Sequence, residues 1–284
     1  MIKENMNIKQ IVLDIDGTLL TSKKEISENT KKALIKAQEN GIQIVLASGR
    51  PTSGMVTLIK NLQMDKYGGL ALSYNGARIT DAMTGDVLFD TTLPQVFVTK
   101  VLEHLKSFDV IPMVNDDKYM YVNNVYGGMI YTFGKLSNII EYESRGGNFL
   151  LCEKIDLAKF VDFSLNKILI AGEANYLKEN IDNIFSPFEN ELNGAFSTPF
   201  YFEITAKNID KANALHIVNQ KNNIDKSNVM SFGDAHNDRS IIEYAKIGVA
   251  MGNAHDDMKA IAQYITLSND EDGIMHALEH FGVI

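Results

Sequence analysis

Asp14-Ile15-Asp16-Gly17-Thr18-Leu19 overlaps the end of a short apolar run, Gln10–Ile15, and the reading of this stretch governs the rest of the chain. An apolar run of this length, stopped by Asp-Gly-Thr, predicts a buried strand that ends in a turn. Ligands gather at the carboxyl ends of strands in open α/β sheets. Side chains alternate along a strand, so Asp14 and Asp16 are expected on one side. Two carboxylates in one crevice repel unless a cation or a proton compensates them. Asp-Gly alone also reads as a solvated turn; the second carboxylate and Thr18 favour a site.

The segments that follow repeat the pattern. Ser27 can cap a helix carrying Ala33, Leu34 and Ala37, which Gly41 ends. The run Ile42–Ala47 leads to Ser48-Gly49-Arg50, with Pro51 opening the next helix. A third run, Leu70–Ser73, leads to Tyr74-Asn75-Gly76. Strand and helix in alternation predict a parallel sheet covered on both faces.

The rhythm changes after the expected hairpin of Ala77–Thr80 and Val87–Asp90. Pro94 can start a helix, and strands are expected at Val110–Val114, Tyr119–Val122, Lys167–Ala171, Leu192–Ser197 and Tyr201–Thr205. The aromatic, Gly-rich stretch 123–160 resists assignment. Alternation returns with a helix capped by Asp210 and strands at Val229–Phe232, Ile247–Ala250 and Tyr264–Leu267. These patterns predict a discontinuous α/β core at 1–82 and 207–284, with an inserted α+β domain at 83–206.

Chemistry-bearing residues cluster at the predicted strand ends. Gly233-Asp234-Ala235-His236-Asn237-Asp238 follows one apolar run, and Asp234 and Asp238 are spaced to share one side of a turn. Hard cations such as magnesium take carboxylate, carbonyl and water oxygens, which Asp14, Asp234 and Asp238 can offer. His236 lacks a ligand cluster around it, so zinc is disfavoured and a place beside the substrate is the alternative to solvent exposure. Ser48 and the amides near Gly49 can hold phosphate oxygens at a helix start. Lys211 can add a point charge to the same anion, and Arg50 suits either an ion pair or the substrate. There is no P-loop, no dinucleotide fingerprint and no Gly-x-Ser-x-Gly elbow.

Composition narrows the partners. The 284 residues are 45% hydrophobic and carry a formal net charge of -9. A broad nucleic-acid surface needs a basic face, which this chain lacks. Negative charge also disfavours anionic membranes. No run reaches the roughly 18 apolar residues of a membrane span. The start, 1–10, is polar and lacks a signal core. The single cysteine, Cys152, cannot form an intramolecular disulfide. A cytoplasmic protein, monomeric or weakly self-associating, is expected.

Asp14–Leu20, Ala47–Arg50, Asn75–Ala77, Gly233–Asp238, Met251–Ala254 and Glu271-Asp272-Gly273 together resemble the haloacid dehalogenase-like hydrolase superfamily, along nearly the whole chain. The chain is most similar to its Cof-type phosphatases of sugars and small metabolites. The resemblance implies a Rossmann-like core with a C2-type cap of the B form. It implies Asp14 as nucleophile and Asp16 as general acid/base, with the Asp16 carbonyl on magnesium. Ser48, Gly49 and Lys211 then hold the phosphoryl group, and Asp234, Asn237 and Asp238 complete the metal side. Arg50, Asn75, His236 and Asn253 fall near the substrate, as do Asn115, Asp116, Tyr119, Tyr121 and Arg145 of the insert, which is expected to exclude water and meet the organic part of the substrate. Asp210-Lys211-Ala212 departs from the Asp-Lys-Gly frequent in the family. Phosphoryl transfer to a sugar, as in a mutase, and a non-catalytic metabolite-binding protein are the alternatives.

Overall fold

The computed structural model describes residues 7–132 and 134–284. The first six residues of the polar start lie outside that range. Strands β1 (Gln10–Leu13), β2 (Gln43–Ala47) and β3 (Leu70–Ser73) pair in parallel. An antiparallel hairpin, β4 (Arg78–Asp81) and β5 (Val87–Asp90), extends the same sheet. The insert contributes β6 (Ile111–Asn115), β7 (Tyr119–Val122), β8 (Met129–Thr132), β9 (Lys135–Asn138) and β10 (Leu150–Glu153). It ends with β11 (Lys167–Ala171), β12 (Leu192–Thr198) and β13 (Tyr201–Ala206). The chain then returns to the first sheet with β14 (Val229–Gly233), β15 (Ile247–Ala250) and β16 (Tyr264–Ile265).

The core sheet runs in the order β16-β15-β14-β1-β2-β3-β4-β5. Its central strands are almost wholly buried and mostly apolar because helices cover both faces. Ile11 and Leu13 pack with Ile44, Leu46 and Phe232 on one face, against Leu34 and Ala37 of the Glu28–Glu39 helix. Val12 packs with Val45, Leu72 and Leu215 on the other, where the Lys211–Lys221 helix lies. Ser27 caps the first helix by accepting from Thr30 N, and Asp210 caps the second by accepting from Asn213 N. From β1 the chain moves one way to β2 and β3, and it later returns on the opposite side at β14. The carboxyl end of β1 is therefore a topological switch point, where a crevice opens.

The described chain divides into two compact units, one running up to Asp90 and resuming at Asp210–Ile284, the other Thr91–Ile209. The boundary expected at 83 moves to 91 because β5 bonds to β4, which keeps the hairpin in the core sheet. The boundary expected at 206 moves to 209. The insert holds a six-stranded sheet, order β10-β7-β6-β11-β13-β12, and the separate pair β8-β9. Val98 and Leu102 of the Gln95–Leu105 helix and Leu177 and Ile184 of the Ala174–Phe185 helix pack on one face of the larger sheet. Stretch 123–160 contains the β8-β9 hairpin, the Ile139–Gly146 helix, β10 and the short Leu157–Phe160 helix. Among the described residues, no helix is long and apolar enough to cross a membrane.

Candidate active site

The β1 ladder stops at Leu13, one residue before the first carboxylate. Asp14 N still donates to Phe232 O at 3.1 Å, which ties it to the end of β14. Leu19 N then bonds Asp14 O at 3.2 Å and Leu20 N bonds Ile15 O at 2.9 Å, closing a tight loop. Gly17 turns this loop with φ +92°, and a Cβ there would overlap the Asp234 carboxylate. Glycine thus supplies both the left-handed backbone and the space for Asp234. Thr18 Oγ1 donates to Asp234 Oδ1 at 2.8 Å and fixes that carboxylate.

Lys211 begins the helix capped by Asp210 and is only 1% exposed. Gly76, at φ +104°, lets its backbone come against Asp210 O, where a Cβ would stand 2.5 Å away. The Lys211 ammonium has three protons, and each has an acceptor. Nζ donates to Asp14 Oδ1 at 2.9 Å, Ala47 O at 2.9 Å and Asp238 Oδ1 at 2.6 Å. The Ala47 bond brings the ammonium beside the Ser48 loop. The other Asp238 oxygen accepts from Asp234 N and Ala235 N, both at 3.1 Å. Asp238, wholly buried, thereby holds Lys211 with one oxygen and the Asp234 loop with the other.

Asp14, Asp234 and Asp238 offer carboxylate oxygens that all lie within 4.8 Å of one another. Three carboxylates against one ammonium leave two negative charges uncompensated. This oxygen-only set and its excess charge fit a divalent cation. Burial pushes the Asp14 carboxyl well above its ordinary value; Lys211 opposes this, while Asp238 and Asp234 add to it. Burial also raises Asp234, against the Thr18 hydrogen bond. Burial alone would lower Lys211, but the charges of Asp14 and then Asp238 outweigh it and hold the ammonium above its ordinary range.

Asp16 occupies a different environment, contrary to the alternation expected of a continuing strand. Because β1 ends at Leu13, the following residues obey the loop and not the pleat. Asp16 accepts from Arg50 Nε and Nη2, both at 2.9 Å, and from Lys24 Nζ at 3.0 Å. Its side chain is 40% exposed. Burial pushes this carboxyl up, but the bonds and charges of Arg50, then Lys24, prevail and hold it below its usual range.

Around these groups, Ser48 is buried and its Oγ accepts from Arg50 N at 3.2 Å. Asn75, at φ +56°, donates its N–H to Ser48 O at 2.9 Å. The Asn75 side chain lies against Gly49 and accepts from Asn237 Nδ2 at 3.4 Å. His236 Nδ1 is 2.9 Å from Asp257 Oδ2, and its ring stacks on His255. Asn253 contacts backbone: Nδ2 donates to Gly17 O at 2.8 Å and Oδ1 accepts from Asn269 N at 3.0 Å.

Within the insert, Asp116 accepts from Lys118 N, Tyr119 N and the Tyr121 hydroxyl. Tyr121 packs against Phe160 and Phe163, Asn115 donates to Asp116 O, and Arg145 pairs with Glu141. The insert residues expected near the substrate therefore make these contacts among themselves and with its core. Sequence reading counted Thr18 in favour of a site without giving it a role, and passed over Gly76 and Lys24 as site residues. The role of Thr18 is to fix Asp234, which lies 216 residues away in the chain; Gly76 follows the third strand end. Lys24 reaches Asp16 only through a turn with φ +62°, which no sequence pattern announces.

The profile described as haloacid dehalogenase-like hydrolase matches residues 11–278. The 5-amino-6-(5-phospho-D-ribitylamino)uracil phosphatase YcsE of Bacillus subtilis is 30% identical over 282 residues, spanning 98% of each chain. Phosphatase YwpJ of the same organism is 26% identical over 96% of this chain and 99% of its own. A crystal structure of a haloacid dehalogenase-like hydrolase from Bacteroides thetaiotaomicron superimposes with a TM-score of 0.88 at 34% identity, covering 96% of this chain and 99% of that one.

Proposed function

This chain belongs to the haloacid dehalogenase-like hydrolase family, and from that premise we propose that it is a magnesium-dependent phosphatase of small phosphorylated metabolites with Asp14 as its nucleophile. The observation that carries the reading is the buried set of Asp14, Asp234 and Asp238 around the Lys211 ammonium. Asp14 and Asp234 would hold the metal, with the Asp16 carbonyl. Asp238 is better occupied in positioning Lys211 and the Asp234 loop. Asn237, which bonds Asn75, and Ser48 with Gly49 line the phosphate side in this reading. The metal supplies positive charge that lets two anions meet and that stabilises the oxygens of the transferring phosphoryl group.

The residues then divide the work. An Asp14 oxygen attacks phosphorus, and the bond from phosphorus to the ester oxygen breaks. Lys211, fixed by Asp238 and Ala47, stabilises the charge on the phosphoryl oxygens. Asp16 gives its proton to the leaving oxygen. It then takes one from the water that attacks the aspartyl-phosphate, releasing phosphate and free Asp14. As held by Arg50 and Lys24, Asp16 is ionised, so its uptake of the proton works against both cations. We read the insert as a C2-type cap of the B form, supported by its position between core segments and its α+β make-up. Sugar phosphates and related metabolites are the substrate class this family reading favours.

A phosphate-release screen with and without magnesium, run beside Asp14→Asn, tests the proposal. Magnesium-stimulated release by the native chain and none by the variant is the expected outcome. Near-normal turnover by Asp14→Asn, with deamidation excluded, removes the nucleophile assignment.

A further inference from the structure

The loop that carries Asp16 is held from outside by two asparagines. Asn253 Nδ2 donates to Gly17 O at 2.8 Å, and Asn269 Nδ2 donates to Leu20 O at 2.7 Å. The two are joined, because Asn269 N donates to Asn253 Oδ1 at 3.0 Å. Asp16 and Leu20 form an isolated parallel bridge, so the held carbonyls belong to the residue after Asp16 and to its bridge partner. The same C-terminal segment grips the chain further on. Asp270 Oδ1 accepts from Ser22 N at 2.8 Å, and Asp272 accepts from the side chains of Ser27, Asn29 and Thr30.

We propose that Asn253 and Asn269 are positioning residues that aim Asp16 at the leaving oxygen, making the loops after β15 and β16 a working part of the acid step. The proposal rests on the reading of Asp16 as the acid. Loop backbone without ladder hydrogen bonds has several accessible paths. Fixing two carbonyls three residues apart removes most of that freedom around Gly17, the most permissive residue in the loop. A small misplacement of a catalytic group costs up to about 100-fold in rate. Asp16 itself makes side-chain bonds to Arg50 and Lys24, both long side chains that can follow it. Beyond the loop's own bonds to the Asp14 and Ile15 carbonyls, the fixed reference for its backbone is thus the asparagine pair.

The test compares an alkyl phosphate with p-nitrophenyl phosphate in Asn253→Ala, Asn269→Ala and Asp16→Asn. The alkyl leaving group needs a proton as its bond breaks, whereas p-nitrophenolate leaves without one. Loss of aim should lower kcat/KM for the alkyl ester about tenfold more than for the aryl ester in both asparagine variants, with a larger bias in Asp16→Asn. The ratio does not depend on the fraction of folded enzyme, so partial unfolding cannot mimic the result. Asn29→Ala, which removes another contact of the same segment, should leave the ratio unchanged. Equal losses on both esters in the asparagine variants, with a bias in Asp16→Asn, would overturn the positioning role alone. An absent bias in Asp16→Asn would overturn the acid reading and this proposal with it.

Discussion

Lys211 Nζ lies 2.6 Å from Asp238 Oδ1, with both side chains withdrawn from solvent. An ammonium in that position is stable only because every proton is accepted and a second carboxylate, Asp14, lies 2.9 Å away. The same contact joins the start of a helix to the loop after β14. The ammonium proposed to meet the phosphate and the loop proposed to hold the cation are therefore set by one buried bond.

Lys211→Met should abolish turnover and destabilise the protein in the absence of divalent cation. Removing one partner of a buried ion pair costs about 3–5 kcal/mol, since Asp14 and Asp238 are left without their counterion. Chemical denaturation without divalent cation measures this, and magnesium should restore part of the loss by compensating the carboxylates. A denaturation midpoint equal to that of the native chain would show that the pair is not buried as described.

Divalent cation should raise thermal stability, and more so at pH 8 than at pH 5. Without a cation, Asp14 and Asp234 titrate above their ordinary values. The folded state then binds these protons more tightly than the unfolded one, so stability falls as pH rises through the raised values. The cation competes with the same protons, and its apparent affinity tightens over that interval. At a free concentration of 100 times Kd the gain is about 2.7 kcal/mol. Scanning calorimetry with magnesium at both pH values checks the sign. Asp234→Asn should remove most of the effect; a gain that is larger at low pH would contradict the assignment.

Arg50→Gln should move the alkaline limb of the pH profile of kcat/KM to higher pH. Arg50 is the larger of the two cationic influences holding Asp16 below its usual range. The stability this pairing contributes is present above the unfolded value and disappears as pH falls through the depressed folded value. Without Arg50 the carboxyl rises, so its protonated form persists to higher pH. An unmoved limb would mean that the guanidinium leaves Asp16 before the proton is used.

The parts of this site that could be read from sequence are those fixed by strand ends. Gln10–Leu13 and Val229–Gly233 are buried on both faces, so their apolar runs are plain, and Asp14 and Asp234 follow at their carboxyl ends. Lys211 could be named but not placed: a lysine in a first helical turn is ordinarily exposed, and only the convergence of Asp14, Ala47 and Asp238 buries it. The Asp16 pairing with Arg50 and Lys24 could not be read, because it follows from where β1 stops and how the next loop turns. Stretch 123–160 resisted for a related reason. Its strands are short, and β8 alternates buried with exposed residues beside a turn, so neither helical nor continuous apolar patterning dominates.

Two glycines of similar backbone separate conformational strain from active-site damage. Gly17 and Gly41 have φ of +92° and +85°, so alanine is strained at both. Around Gly41 a Cβ meets nothing within 4 Å, whereas at Gly17 it runs into the Asp234 carboxylate. Gly41→Ala should therefore lose only about 1–2 kcal/mol of stability and keep its turnover and cation affinity. Gly17→Ala should suffer the same backbone cost and also displace Asp234 from Thr18, weakening magnesium binding and lowering kcat by at least about tenfold. Magnesium titrations of thermal stability and steady-state rates on both variants resolve the two contributions. Equal behaviour of the variants would mean that Asp234 yields freely to the added methyl, and that the space left by Gly17 is not what sets the carboxylate in place.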